Sequence, residues 1–159
     1  MRDYSPLIKA ASDLQPQSRD HAMQAAVDLL WRAFGNHPIS WVGFYLKSDG
    51  ADEMVLVCRE PKPACSPIGL HGMCGRSLLT RHAILVRDVR TLGENYIACD
   101  PKDQSEVVIP MIDDTGVCRG VLDVDSYDLA AFDEIDVKGM TEILIELGLT
   151  AYAAPLATP

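Results

Sequence analysis

The chain has 159 residues, 48% of them hydrophobic, which suits one domain with a sizeable core. A formal net charge of −9 argues against nucleic acid, because phosphate binding needs a basic surface. MRDYSPLIKA lacks the apolar run of a secretory signal and no stretch reaches membrane-spanning length, so a cytoplasmic protein that binds no membrane is expected.

Residues 1–159 read as a single domain, with N-terminal helices over about 5–35, a core over about 40–148 and a flexible tail at 153–159. In Ser18–Phe34, Met23, Ala26, Val27, Leu30 and Phe34 recur at helical spacing, and Gly35 stops the run. Ser40–Lys47 and Glu53–Arg59 are apolar, β-rich runs flanking SDGAD, hence a hairpin. A long loop follows over 60–73, then a short helix beginning near Cys74 and running through Ser77–Arg81. Ile84–Val89 reads as a strand and Arg90–Ser105 as a second long loop. Val107–Ile112 and Val117–Asp125 make another hairpin around DDTG. In the last helix Phe132 can staple onto Val137 around an Asp133 N-cap. Its stripe is Ile135, Met140, Ile143, Leu144 and Leu147, and Gly148 ends it. Helix, hairpin, loops, hairpin and helix together predict an α+β domain with a mainly antiparallel sheet.

Both long loops carry cysteines, and loops of that length in compact domains tend to be functional. Cys65 in PKPACSP, Cys74 in HGMCGRS and Cys99 in NYIACD sit among prolines and glycines, where a thiol reads as redox chemistry or a metal ligand. Eight residues separate the first two and 24 the next. Structural zinc sites favour pairs two to four apart. His71 could pair with Cys74, but no second close pair completes a site, so no metal is expected. A disulfide framework is disfavoured by the odd total of five, with Cys58 and Cys118 lying in strands as packed thiols.

Asp123 and Asp125 are two apart in VLDVD and share one strand face. They could face solvent, or they could line a pocket for a cationic group, joined by Glu106 at the start of the neighbouring strand. Trp41 and Tyr45 lie four apart with Gly43 between them, leaving a gap over the glycine. They form either a core pair or a pocket wall.

The runs W-V-G-F-Y-L, K-P-A-C, G-M-C-G, Y-I-A-C-D, S-E-V-V-I-P, G-V-L-D-V-D-S and F-D-E-I-D resemble the free methionine-R-sulfoxide reductases, which are built on a GAF domain. The resemblance extends from about Ser40 to Leu147 and includes all three loop cysteines. It implies a GAF-like fold with a six-stranded, mainly antiparallel sheet flanked by helices, and a homodimer. It also implies reduction of free methionine-R-sulfoxide, with thioredoxin as electron donor and no cofactor.

By this resemblance Cys99 is the nucleophile, attacking the sulfoxide sulfur and becoming a sulfenic acid. Cys65 is the resolving thiol and Cys74 the second recycling candidate, its thiolate favoured by a helix start. Glu106, Asp123 and Asp125 would protonate the leaving oxygen or hold the substrate's ammonium, and Asp88 matches a further acidic position. Trp41 and Tyr45 would hold the S-methyl end. Two loop lengths depart from the family pattern. The Cys65–Cys74 connection is one residue shorter and the segment before Cys99 one residue longer, in the loops that must bring the thiols together. The rival readings are a GAF small-molecule sensor and a thiol switch without turnover.

Overall fold

Alternating burial along the strands divides the molecule into layers. The computed structural model describes residues 1–96 and 99–159. Ile97 and Ala98, which open the I-A-C-D run inside the loop expected over 90–105, lie outside the described residues. Among the described residues there are four α-helices: α1 (Ser5–Asp13), α2 (Arg19–Phe34), α3 (Met73–Thr80) and α4 (Glu134–Glu146). The strands are β1 (Trp41–Leu46), β2 (Glu53–Glu60), β3 (Ile68–Gly69), β4 (Ala83–Val86), β5 (Ser105–Ile112), β6 (Cys118–Ser126) and β7 (Leu156–Ala157). They form one sheet in the order β3-β2-β1-β6-β5-β4-β7, antiparallel except for the parallel β4–β7 pair.

Odd and even positions face different cores. Val42, Phe44, Val107, Ile109, Leu122 and Val124 pack under α1, α2 and α4. Trp41, Tyr45, Val108, Val121, Ile84 and Val86 face the opposite way, toward Met73, Cys74 and Leu78 of α3. The helical layer is one closed apolar slab. On the other face a single short helix and two long loops leave room for polar chemistry.

Local signals set most boundaries. Ser18 caps α2 by accepting from the His21 N–H at 3.1 Å, and the Gly35 N–H closes it on Trp31 O at 2.8 Å. Asp133 caps α4 in a full capping box that Asp136 completes. Phe132 and Val137 are both buried beside it. Ile135 departs from the expected stripe, standing 39% exposed two residues past the cap. Asp136 is 1% exposed and holds the N-terminus down, taking two bonds from the Arg2 guanidinium and one from Tyr4 Oη at 2.9 Å. Gly139 lies directly beneath the Tyr4 ring, where a Cβ would collide with it.

Among the described residues the sheet has seven strands where six were expected. The extra pairing comes from two-residue edge strands, one inside the 60–73 loop and one in the tail. Edge backbone groups left open by β2 and β4 are satisfied there, and the Ala83 N–H bonds to Pro155 O at 2.9 Å. The tail at 153–159 therefore carries strand pairing at Leu156–Ala157 where free coil was expected. The strand expected over Ile84–Val89 stops at Val86. Asp88 bends the chain by accepting from the Arg90 N–H, and a 3-10 turn starts at Val89. β5 begins at Ser105, so Glu106 is a strand residue with a neighbour on each side.

Candidate active site

Register brings the carboxylates together. Asp123 stands opposite Gly43 on β1 and Val108 on β5, while Asp125 stands opposite Trp41 and Glu106. Opposed residues of an antiparallel pair share a face, so Glu106, Asp123, Asp125 and Trp41 all project toward α3 and the two loops. α3 comes close because Gly75 packs on the Leu70 backbone, where a Cβ would collide. This places Cys74 over the acids. Its Sγ and carboxylate oxygens of Glu106 and Asp123 lie within 4.8 Å of one another.

The acids are enclosed. Glu106 is 5% exposed and Asp123 7%, and Glu106 Oε2 and Asp123 Oδ1 are buried without a hydrogen-bond partner among the described residues. Burial first, and then the Asp125 charge, pushes the Glu106 carboxyl up to about 8. Asp123 and Asp125 are likewise driven well above the carboxylate range by burial and by their acidic neighbours. The same surroundings correct the expectation for Cys74. Burial and three carboxylates push its thiol well up, overriding the dipole of a two-turn helix.

Cys65 and Cys99 are joined in a disulfide with Cα atoms 5.6 Å apart, closing a loop 34 positions long. Among the described residues Cys58, Cys74 and Cys118 are free thiols. Cys58 is buried in β2 and pushed up to about 11 by that burial. Cys118 is half-buried in β6, its thiol donating to Gly120 O.

Trp41 and Tyr45 tether the Cys65 loop. Trp41 Nε1 donates to Lys62 O at 2.8 Å and Tyr45 Oη donates to Cys65 O at 2.7 Å. Their ring centroids are 6.1 Å apart. The gap expected over Gly43 is absent, because the Trp41 indole itself lies over the glycine.

The loop of Cys99 is anchored by neighbours that sequence reasoning missed. Asp100 accepts from Lys62 Nζ at 2.7 Å and from Tyr127 Oη at 2.8 Å, and the lysine holds its carboxyl down at about 2. Asp103 is buried, accepts from Ser40 Oγ at 3.1 Å and is raised to about 6, chiefly by burial. The signal was present in C-D-P-K-D, two acids within four residues of Cys99. Asp88 is not brought to the pocket: it forms a two-bond pair with Arg90 at 2.9 and 2.7 Å. His71 is exposed and outside the Cys74 cluster.

Beneath the bridge lie two cavities of about 30 Å³ each, one reaching Cys74 and the other Trp41 and Asp125, with Tyr96 bordering both. Cys99, Tyr45, Glu106 and Asp123 border both. A third, of about 140 Å³, opens outward past Trp41, Lys62, Asp100 and Asp103. Larger hollows of about 360 and 400 Å³ lie by the β5–β6 turn and the end of α4 and contain no predicted site residue.

A mainly antiparallel sheet with helices on one face, and loops closing a polar pocket on the other, defines a GAF domain, and the GAF domain family profile matches residues 16–147. The free methionine-R-sulfoxide reductase of Saccharomyces cerevisiae is 34% identical over 122 residues, covering 74% of this chain and 67% of that protein. The structure of free methionine-R-sulfoxide reductase from Neisseria meningitidis in complex with its substrate superposes with a TM-score of 0.77 at 34% identity. It covers 90% of this chain and 83% of that one. The fRMsr of Staphylococcus aureus in complex with substrate gives a TM-score of 0.78 at 30% identity, covering 93% and 95%. The chain belongs to the GAF domain family and, within it, to the free methionine-R-sulfoxide reductases.

Proposed function

We propose that the protein reduces free methionine-R-sulfoxide to methionine at the pocket between β1, β5, β6 and α3. The observation that carries this reading is the Cys65–Cys99 disulfide lying directly over a buried acidic pocket. The Cys99 thiolate attacks the sulfoxide sulfur, methionine leaves, and the oxygen remains on Cys99 as a sulfenic acid. The Cys65 thiol then displaces that oxygen as water and forms the bridge. A dithiol reductant of the thioredoxin class breaks the bridge by exchange, with Cys74 as a second thiol for recycling.

Glu106 retains its proton to about pH 8, so it can protonate the departing oxygen near neutrality. Asp123 and Asp125 hold the substrate's ammonium, which explains a preference for the free amino acid over a peptide. Trp41 and Tyr45 shape the S-methyl end while fixing the Cys65 loop. Asp88 acts at most through Arg90 and its turn. Cavities of about 30 Å³ have room for about one water. Substrate entry therefore requires the bridge to open and the 62–65 segment to move.

The protein is further proposed to act as a homodimer in the reducing cytoplasm. Half-exposed Val55 and Val57 on β2 offer apolar surface for self-association, which light scattering measures directly. Among the described residues, no helix is long and apolar enough to cross a membrane.

The deciding experiment is thioredoxin-coupled NADPH oxidation with free R-, free S-, N-acetylated and peptidyl sulfoxides. Turnover of the free R form alone is expected. Thioredoxin-reducible bridging with no methionine released would favour the thiol switch, and binding without either would favour a sensor.

A further inference from the structure

The Cys74, Glu106 and Asp123 side chains come from three different elements, α3, β5 and β6, so their spacing is set by the fold rather than by a mobile loop. Their ligand atoms lie within 4.8 Å of one another. Glu106 and Asp123 are each more than nine-tenths buried, and Glu106 Oε2 and Asp123 Oδ1 have no hydrogen-bond partner among the described residues. Leaving such acceptors unpaired is costly. Among the described residues, no lysine or arginine lines the cavity beside them. That cavity, about 30 Å³ and bordered by Tyr45 and Tyr96, has room for an ion or a single water but not for an amino acid.

We infer that Cys74, Glu106 and Asp123 bind one thiophilic divalent cation of the zinc and cadmium class. A thiolate with two carboxylates supplies three of the four ligands that such an ion takes. The sulfur discriminates against magnesium and calcium, which prefer all-oxygen shells. On binding, the protons held by the Cys74 thiol and by the Glu106 and Asp123 carboxyls leave to solvent, one sulfur–metal and two oxygen–metal bonds form, and no group is oxidised. Spacing along the chain does not reveal this site, because the ligands are dispersed over three elements and His71 stays outside. The ion would occupy the carboxylate that the proposed mechanism gives to the substrate's ammonium and the carboxyl that it gives to proton donation. Competition with substrate, a consequence that rests on that mechanism, follows from the shared atoms.

The test uses the Cys65–Cys99-bridged protein, in which those two sulfurs cannot serve as ligands. Cadmium is titrated in while the ultraviolet thiolate-to-cadmium charge-transfer band is followed. One equivalent should bind, with the band lost in Cys74→Ser and kept in Cys58→Ser and Cys118→Ser. Zinc should displace the cadmium, and excess magnesium should not. Glu106→Gln and Asp123→Asn should each weaken binding at least about tenfold, the lower end of what disturbing a metal site costs. They serve independently if Cys74→Ser fails to fold. A band that persists in Cys74→Ser, that disappears in Cys118→Ser, or that is indifferent to both acid variants overturns the site. Because this readout needs no turnover, its failure is separate from any failure of the reductase reading.

Discussion

Glu106 links stability to chemistry through one proton. Its carboxyl is raised from 4.5 to about 8. Between those values the folded protein binds more protons than the unfolded chain, so stability falls as pH rises and the loss is complete above about 8. Asp123 and Asp125 shift in the same direction and add to the slope. Glu106→Gln should flatten the decline in thermal melting temperature over this window. It should also remove the fall in kcat above about pH 8 that loss of the donor proton produces. An unchanged alkaline limb in that variant would show that Glu106 is not the proton donor. The thiols separate by single turnover. Cys99→Ser should release no methionine, whereas Cys65→Ser should release about one per enzyme and stall as a sulfenic acid that dimedone captures. Stoichiometric methionine from Cys99→Ser would move the nucleophile elsewhere.

Asp136 and Gly43 each control a contact between elements. Burial alone would raise the Asp136 carboxyl, but the bonds from Arg2, the Asp133 N–H and Tyr4 hold it below its ordinary value. That stabilisation is present above pH 3.8 and is lost as pH falls through the lowered value. Asp136→Asn should cost about 1.5–3 kcal/mol in urea denaturation, the range for hydrogen bonds to charged groups. It should also release α1 to limited proteolysis before the rest of the chain. On β1, Gly43→Ala would drive a Cβ into the Trp41 ring and to 2.9 Å from Cys58 O. Since Trp41 holds Lys62 O, the expected result is shifted tryptophan emission with slower Cys65–Cys99 bridging. Unaltered emission and bridging kinetics would refute the tether.

At the scale of the whole molecule, the bridge joins the two loops that cover the acidic face. A cross-link spanning 34 positions is worth about 3–4 kcal/mol by loss of unfolded-chain entropy. The oxidised protein should therefore melt roughly 10 °C above the reduced one, given 2–4 °C per kcal/mol for chains of this size. Peptide mapping after limited substrate without reductant should give mainly the Cys65–Cys99 bridge, with Cys74–Cys99 growing in Cys65→Ser. Cys74 lies on the sheet side, buried above the acids, while Cys65 and Cys99 are both exposed. A dominant Cys74–Cys99 product from the unmodified protein would reverse the assignment.

The sequence by itself determined the elements with strong local signals: the Ser18-capped α2, both long hairpins and the Asp133-capped α4. Periodicity and capping act within a few residues and need no tertiary partner. It also determined the pairing of Asp123 with Asp125, and of Trp41 with Tyr45, because strand alternation fixes a face. Tertiary structure decided what each face meets. Cross-strand register put Glu106 opposite Asp125, and α3 lowered Cys74 onto Glu106 and Asp123. The indole filled the space over Gly43, Arg90 drew Asp88 aside, and two-residue edge strands formed where sequence showed only loop and tail. None of these has a local signature, because each depends on groups distant in the chain meeting across a packed sheet. The raised Glu106 and Cys74 pKa values likewise arise from burial, which exists only once the two loops and α3 have closed over the sheet.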